Sequence, residues 1–268
     1  MISANSKLVI HGLSDVGLVR GHNEDKISWD INLGLVLLAD GMGGHNAGEV
    51  ASEIAVNSIT DFLRNALIPQ PSDDVDYMEI VSEAVKYANI QIIRTAAVDQ
   101  ECAGMGTTVV LALFHHDSIV LAHVGDSRIY CYRGGVLSPI TRDHSLVQEM
   151  LDNGFLNQEE ALTSTNRNLI TRALGIAETV DVDVIERDAC TRDVYLLCSD
   201  GLTDLVNDSE IAEILGQHIN GDDVNSTELE AIVTSLVSCA NERGGKDNIS
   251  IVLVTKQEAY SDSIGLDE

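Results

Sequence analysis

Leu35-Val36-Leu37-Leu38-Ala39-Asp40-Gly41-Met42-Gly43-Gly44 is a short apolar run that ends on one carboxylate, followed by three glycines in four residues. A run of this length between Gly34 and a glycine cluster reads as a buried strand. Asp40 is then the first polar side chain beyond a rigid element. Gly41 lets the backbone turn and bring a carbonyl beside that carboxylate, an arrangement that suits a hard divalent cation. Asp-Gly after a strand is equally ordinary turn chemistry. The stretch alone does not separate the two readings.

Other strand ends carry the same chemistry. Asp126 follows the strand-like SIVLAHV, Asp200 follows VYLLCS, and Asp247 precedes NISIVLV. The acidic pair Glu24-Asp25 precedes ISW. Carboxylates gathered in one cleft repel by about 4 kcal/mol per pair at 4 Å and an effective dielectric near 20. Convergence of these ends would therefore demand cations between them.

The chain has 268 residues, 44% of them hydrophobic, enough to bury a large core, and no Pro-rich or Gly/Ser-rich linker divides it. One domain over residues 1–257 is expected, with 258–268 as a loose acidic tail. A formal charge of -27 excludes nucleic acid or an anionic membrane as the main partner and favours substrates with basic flanks. No segment is long and apolar enough to span a membrane, and MISANSKLVIHG lacks the layout of a signal peptide, so the expected location is cytoplasmic. Five cysteines without CxxC spacing read as reduced core residues. Walker A, GxGxxG, GxSxG, HExxH and CxxxxxR motifs are absent.

In chain order, KLVIHGLSDVGLV opens as a strand, and 30–34 is a tight turn joining two strands into a hairpin. From Asn46, apolar residues recur at helical spacing as far as Leu67, and a second helix is expected over about 72–96. Four strands with tight connections follow between Thr107 and Thr141, the signature of antiparallel meanders. Residues 143–173 form an excursion with one short amphipathic helix and the polar run TSTNRN. Strands resume at 182–185 and 194–198. Helices over 208–217 and 226–243 come next, the latter opened by a Thr227 to Glu230 capping-box spacing. Ile249 to Val254 closes the fold as a strand. This order suggests two sheets packed face to face with helices outside.

SDVGLVRGHNED, LLADGMGGHNAGEVAS, GTTVV, AHVGDSRIY, TRDHS, TRALG, LLCSDGL and KDNIS occur in that order along nearly the whole chain. The ordered set resembles the bacterial branch of the metal-dependent protein phosphatases, the PPM or type 2C family. The resemblance implies an α+β fold, a four-layer αββα sandwich of two antiparallel sheets flanked by helices. It also implies a protein serine/threonine phosphatase with two tightly bound Mn²⁺ or Mg²⁺ ions and a third, weaker one. Phosphorylated proteins would be its partners, a serine/threonine kinase its opponent, and a monomer its expected state.

Residue by residue, the resemblance implies that Asp40 bridges the two metals and that the Gly41 carbonyl binds one of them. Asp200 and Asp247 complete the other shell. Glu24 and Asp25 lie near the Gly41-side metal, acting partly through water, and Asp126 shares the third metal with Asp200. An all-oxygen set favours Mn²⁺ or Mg²⁺ over Zn²⁺. Such ions acidify and orient a water and neutralise phosphoryl charge, so no covalent intermediate is required. Arg20, four residues before Glu24, matches the arginine that grips substrate phosphate. His45 resembles a bacterial histidine proposed to protonate the leaving oxygen, with helix capping as the alternative. Met42 stands where animal enzymes carry their histidine. His144 and Arg172 match recurring positions and are expected to be structural, while Asp204 would support the third metal or face solvent. A phosphatase of small phosphoesters or other phosphoamino acids, and a non-catalytic phosphoprotein binder, are the alternative functions.

Overall fold

A computed structural model describes residues 6–44, 47–68, 75–162, 164, 166, 169–219, 221 and 223–258. In chain order the elements are β1 (Ser6–Asp15), β2 (Asp25–Asp30), β3 (Leu35–Met42), α1 (Ala47–Leu67), α2 (Tyr77–Val98), β4 (Gly106–Thr107), β5 (Val109–His115), β6 (Ser118–Val124), β7 (Arg128–Arg133) and β8 (Val136–Pro139). There follow α3 (Leu146–Asp152), α4 (Gln158–Leu162), β9 (Asp183–Asp188), β10 (Val194–Cys198), α5 (Asp200–Thr203), α6 (Asp208–His218), α7 (Ser226–Glu242) and β11 (Ile249–Glu258). One sheet runs β1-β11-β10-β7-β8 and the other β2-β3-β5-β6-β9, with the short β4 beside the end of β3. Every strand pair is antiparallel.

The alternation of side chains along each strand explains why these strands read as continuous apolar runs. Leu35, Leu37 and Ala39 of β3 pack under α1 and α2, whereas Val36 and Leu38 face the other sheet. On β11, Ile249, Ile251 and Leu253 pack under α6 and α7, whereas Val252 and Val254 meet β3 and β5 residues between the sheets. Three apolar layers result, one between the sheets and one beneath each helix pair. Both faces of each sheet are covered, so no polar alternation survives in the central strands.

Several sequence expectations require correction. β3 does not turn at Asp40-Gly41: it continues to Met42, because β4 pairs there, with Gly41 opposite Thr107 and Met42 opposite Gly106. Gly41 is needed for close approach, since a Cβ at that position would lie 2.1 Å from the Gly48 carbonyl oxygen. Helix α2 starts at Tyr77, not 72, because the Asp76 side chain caps it by accepting from the Glu79 N–H at 3.0 Å. The capping box of α7 is Asn225 with Glu228, not Thr227 with Glu230. Strand β11 extends through TKQE to Glu258, which pairs with Ser6, and buries Lys256 against the Asp117 carboxylate at 2.7 Å. The rest of the expected tail, 259–268, lies outside the described residues. Cys190 is exposed rather than part of the core, while Cys102, Cys131 and Cys198 are buried. The hairpin turn before β3 is as expected, with Gly34 at φ +74. No helix among the described residues is long and apolar enough to cross a membrane.

Candidate metal centre

Register brings the acidic strand ends to one rim of the sandwich. Asp25 opens β2 directly opposite Asp40 on β3, so the two side chains share the face between the sheets. Asp126 follows β6 at the same end, after the Gly125 turn at φ +112. From the second sheet, Asp200 follows β10 and Asp247 precedes β11. Residues some two hundred positions apart thus converge through strand pairing alone.

Hydrogen bonds fix these ends to one another. The Asp40 N–H donates to Thr108 Oγ1 at 3.1 Å, and Thr108 Oγ1 lies 2.8 Å from Ser127 Oγ, which joins the ends of β3, β5 and β6. Ser199 Oγ donates to Asp25 Oδ2 at 2.9 Å and accepts the Ser250 N–H at 3.0 Å, which ties β2 to the opposite sheet. Asn248 accepts the Glu24 N–H at 2.8 Å and donates to the Val16 and His22 carbonyls at 3.0 and 2.9 Å. Sequence reasoning did not single out Asn248, which locks the Glu24 loop to the segment that carries Asp247. Its only signal was its place within KDNIS. Gly48 was missed as well: a Cβ there would lie 2.7 Å from the Glu24 carboxyl, so α1 can pass close to that side chain.

The electrostatics of the cluster call for positive charge. Burial, then the neighbouring carboxylates of Asp25, Asp200 and Asp126, hold the Asp40 carboxyl well above the usual range. Asp200 is raised in the same way, by burial and then by Asp126 and Asp247. Burial pushes Asp25 and Asp126 up to about 6 each, and raises Glu24 too. Glu24 Oε1, Asp25 Oδ1 and Asp126 Oδ1 are buried without a hydrogen-bond partner. Native interiors rarely leave such oxygens orphaned. A set of carboxylate oxygens with unsatisfied lone pairs and no thiolate or imidazole fits hard, oxygen-seeking cations.

Arg20 sits at the edge of this cluster, where its Nη2 donates to Asp247 Oδ2 at 2.7 Å. That bond, set against the cost of burial, raises the arginine's pKa further. Asp204 is exposed and close enough to raise the pKa of both Asp126 and Asp200. His144 is buried, with its Nδ1 accepting the Gly125 N–H at 3.1 Å. Arg172 donates to Asp183 at 2.9 Å and lies 3.2 Å from His144 Nε2. His123, His144 and Asp183 also bring possible ligand atoms within 4.8 Å of one another. The Arg172 guanidinium already supplies the positive charge there, so this second cluster is a closed ion-pair network. His45 lies outside the described residues.

A family model described as protein phosphatase 2C matches residues 20–250. The chain belongs to the protein phosphatase 2C family. The match begins at Arg20 and takes in every acidic residue of the cluster. The serine/threonine phosphatase stp of Listeria monocytogenes is 37% identical over 246 residues, covering 91% of this chain and 94% of that protein. The crystal structure of the Mycobacterium tuberculosis serine/threonine phosphatase PstP/Ppp superposes with a TM-score of 0.82 at 36% identity, over 93% of this chain and 98% of that one. The PstP catalytic domain in complex with two manganese ions gives a TM-score of 0.81 at 36% identity, over 94% and 100% of the two chains. The expected α+β sandwich of two antiparallel sheets flanked by helices is therefore the phosphatase 2C architecture in this chain as well.

Proposed function

We propose that this protein phosphatase 2C hydrolyses phosphoserine and phosphothreonine in proteins, using divalent Mn²⁺ or Mg²⁺. The observation that carries the reading is the convergence of Glu24, Asp25, Asp40, Asp126, Asp200 and Asp247, three of them with orphaned buried oxygens, beside an arginine. The manganese-bound PstP relative supports the choice of cation.

Asp40 and the Gly41 carbonyl, with Asp200 and Asp247, would hold two ions; Glu24 and Asp25 would act on the Gly41 side, partly through water, and Asp126 with Asp200 would hold a weaker third. When bound, these cations supply Lewis-acid charge and an acidified water. The chain's own residues do the rest. Arg20 meets the substrate phosphate with an always-charged, planar donor, and Asp247 holds that guanidinium toward the rim. His45 gives a proton to the departing serine or threonine oxygen. The excursion over 151–173, of which residues 163, 165, 167 and 168 lie outside the described residues, shapes recognition of protein substrates. Its described part is tied to the start of α3 by the Leu146 N–H to Leu169 carbonyl bond of 2.9 Å.

The enzyme acts as a cytoplasmic monomer on phosphoproteins and opposes a serine/threonine kinase, with residues 1–257 as its single catalytic domain. Turnover of phosphothreonine peptides compared with a nitrophenyl phosphate and small metabolite phosphates tests the reading. Efficient peptide hydrolysis supports it. Activity confined to small esters would replace it with the small-phosphoester alternative, and tight phosphopeptide binding without turnover would indicate a non-catalytic binder.

A further inference from the structure

A cavity of about 700 Å³ opens beside the metal centre and shares Asp126 and Asp200 with it. One wall is apolar: Val147 and Leu151 come from α3 and Ala161 from α4. Another part of the lining, from the end of α5 to the start of α6, carries Asp204 and Asp208, both exposed; Asp208 accepts from the Tyr130 hydroxyl at 2.9 Å, and no cation among the described residues is paired with either carboxylate. Among the described residues Arg128 is the single basic one lining the cavity, and it is committed to Asp143 through two bonds of 2.8 and 2.7 Å and to the Tyr130 hydroxyl at 3.1 Å. Asp126, only 6% exposed, borders the same space with Oδ1 unpartnered.

We infer that this cavity is a specificity subsite that receives a lysine or arginine side chain lying next to the phosphoresidue of the substrate. The inference rests on the phosphoprotein reading and deepens it. Asp126 and Asp200 would be neutralised by the cations they hold, and Arg128 neutralises Asp143. Asp204 and Asp208 are then the charges left over. An acidic substrate side chain would be repelled, and an apolar one would leave both carboxylates without a countercharge. A basic side chain satisfies both walls, because its methylene stem packs on Val147 and Leu151 while its charged head reaches the carboxylates. The shared Asp126 and Asp200 place the occupant close to the scissile phosphate, so it belongs to a flanking residue of the same polypeptide.

The test uses the full-length, manganese-loaded protein and phosphothreonine peptides identical except for lysine, alanine or glutamate at each flanking position in turn. The readout is the ratio of kcat/KM between peptides for one enzyme, so any effect on the shared chemistry cancels. At one or two positions lysine should exceed alanine by about fivefold, with glutamate poorer than alanine. Asp204→Asn combined with Asp208→Asn should bring that ratio to about one, and Asp208→Lys should invert it toward glutamate. Melting curves establish that each variant is folded. A wild-type enzyme indifferent to flanking charge, or a lysine preference that survives both substitutions, would overturn the subsite while leaving phosphopeptide hydrolysis intact. Failure to hydrolyse any peptide would overturn the phosphoprotein reading, and the subsite with it.

Discussion

Arg20 Nη2 lies 2.7 Å from Asp247 Oδ2, which joins a loop near the start of the chain to the segment entering its last strand. The guanidinium is about half exposed, so one edge is held while the rest faces the rim where phosphate would arrive. Losing a charge-assisted contact to phosphate costs about 1.5–3 kcal/mol, or roughly ten- to a hundredfold. Arg20→Ala should therefore raise KM for phosphopeptides by that order, with Mn²⁺ affinity little changed. Isothermal titration with Mn²⁺ beside steady-state kinetics separates the two. Weakened metal binding with unaltered KM would make Arg20 a support for Asp247 instead.

Chelation should abolish turnover, and Mn²⁺ or Mg²⁺ should restore it. Asp40→Asn removes a carboxylate flanked by those of Asp25, Asp200, Asp126 and Asp247 and should cost more than about a hundredfold in kcat. Asp126→Ala should lose most turnover yet still titrate two metal ions. Calorimetry that registers no tight binding in the Asp126 variant would argue against a separate third site.

The metal-free protein should show a specific pH response. Burial holds Asp25 and Asp126 at about 6 against an ordinary 3.8. A raised folded-state pKa means that the folded form binds more protons, so this stabilisation is complete below about 3.8 and fades as pH rises through about 6. In chelator, the melting temperature of wild type should fall relative to Asp126→Asn between about pH 4 and pH 6. Identical slopes for the two proteins would contradict the burial argument.

His144 should act on the Asp126 turn through its Nδ1. Leaving the Gly125 N–H without an acceptor costs about 1–3 kcal/mol. His144→Leu should then require roughly tenfold more Mn²⁺ for half-maximal turnover, while His144→Asn, which offers an oxygen near the same place, should stay close to wild type. Equal behaviour of the two variants would reduce His144 to packing.

Leaving-group dependence isolates His45. General acid catalysis is typically worth 10² to 10⁴. His45→Ala should slow phosphoserine or phosphothreonine peptides by about that factor and a nitrophenyl ester far less, with metal affinity unchanged. A uniform slowdown would assign the proton to another group.

The four aspartates at strand ends were legible in the sequence because each borders an apolar run at a place where a turn or a ligand makes sense. The layered fold followed from helical spacing before and after a block of tightly connected strands. What stayed hidden acts through backbone geometry between distant segments. Asn248 matters because its amide reaches Val16 and His22, and nothing near it in sequence announces that. Glu228 lies three residues from Asn225 just as Glu230 does from Thr227, so spacing could not choose between two capping boxes. Lys256 read as lying beyond the closing strand because its burial depends on Asp117, far away in the chain.

Strands β1 and β11 are partnered along their full length, from Ser6 with Glu258 to Asp15 with Ile249. During synthesis, β1 emerges from the ribosome long before the strand that completes it. Contacts of such large sequence separation close late and slowly. A nascent chain short of β11 also lacks Asn248 to clamp the Glu24 loop and Asp247 to complete the rim. Catalytic competence is thus withheld until β11 has been made, and a product truncated before it is a misfolding hazard rather than a stray hydrolase loose among the cell's phosphoproteins.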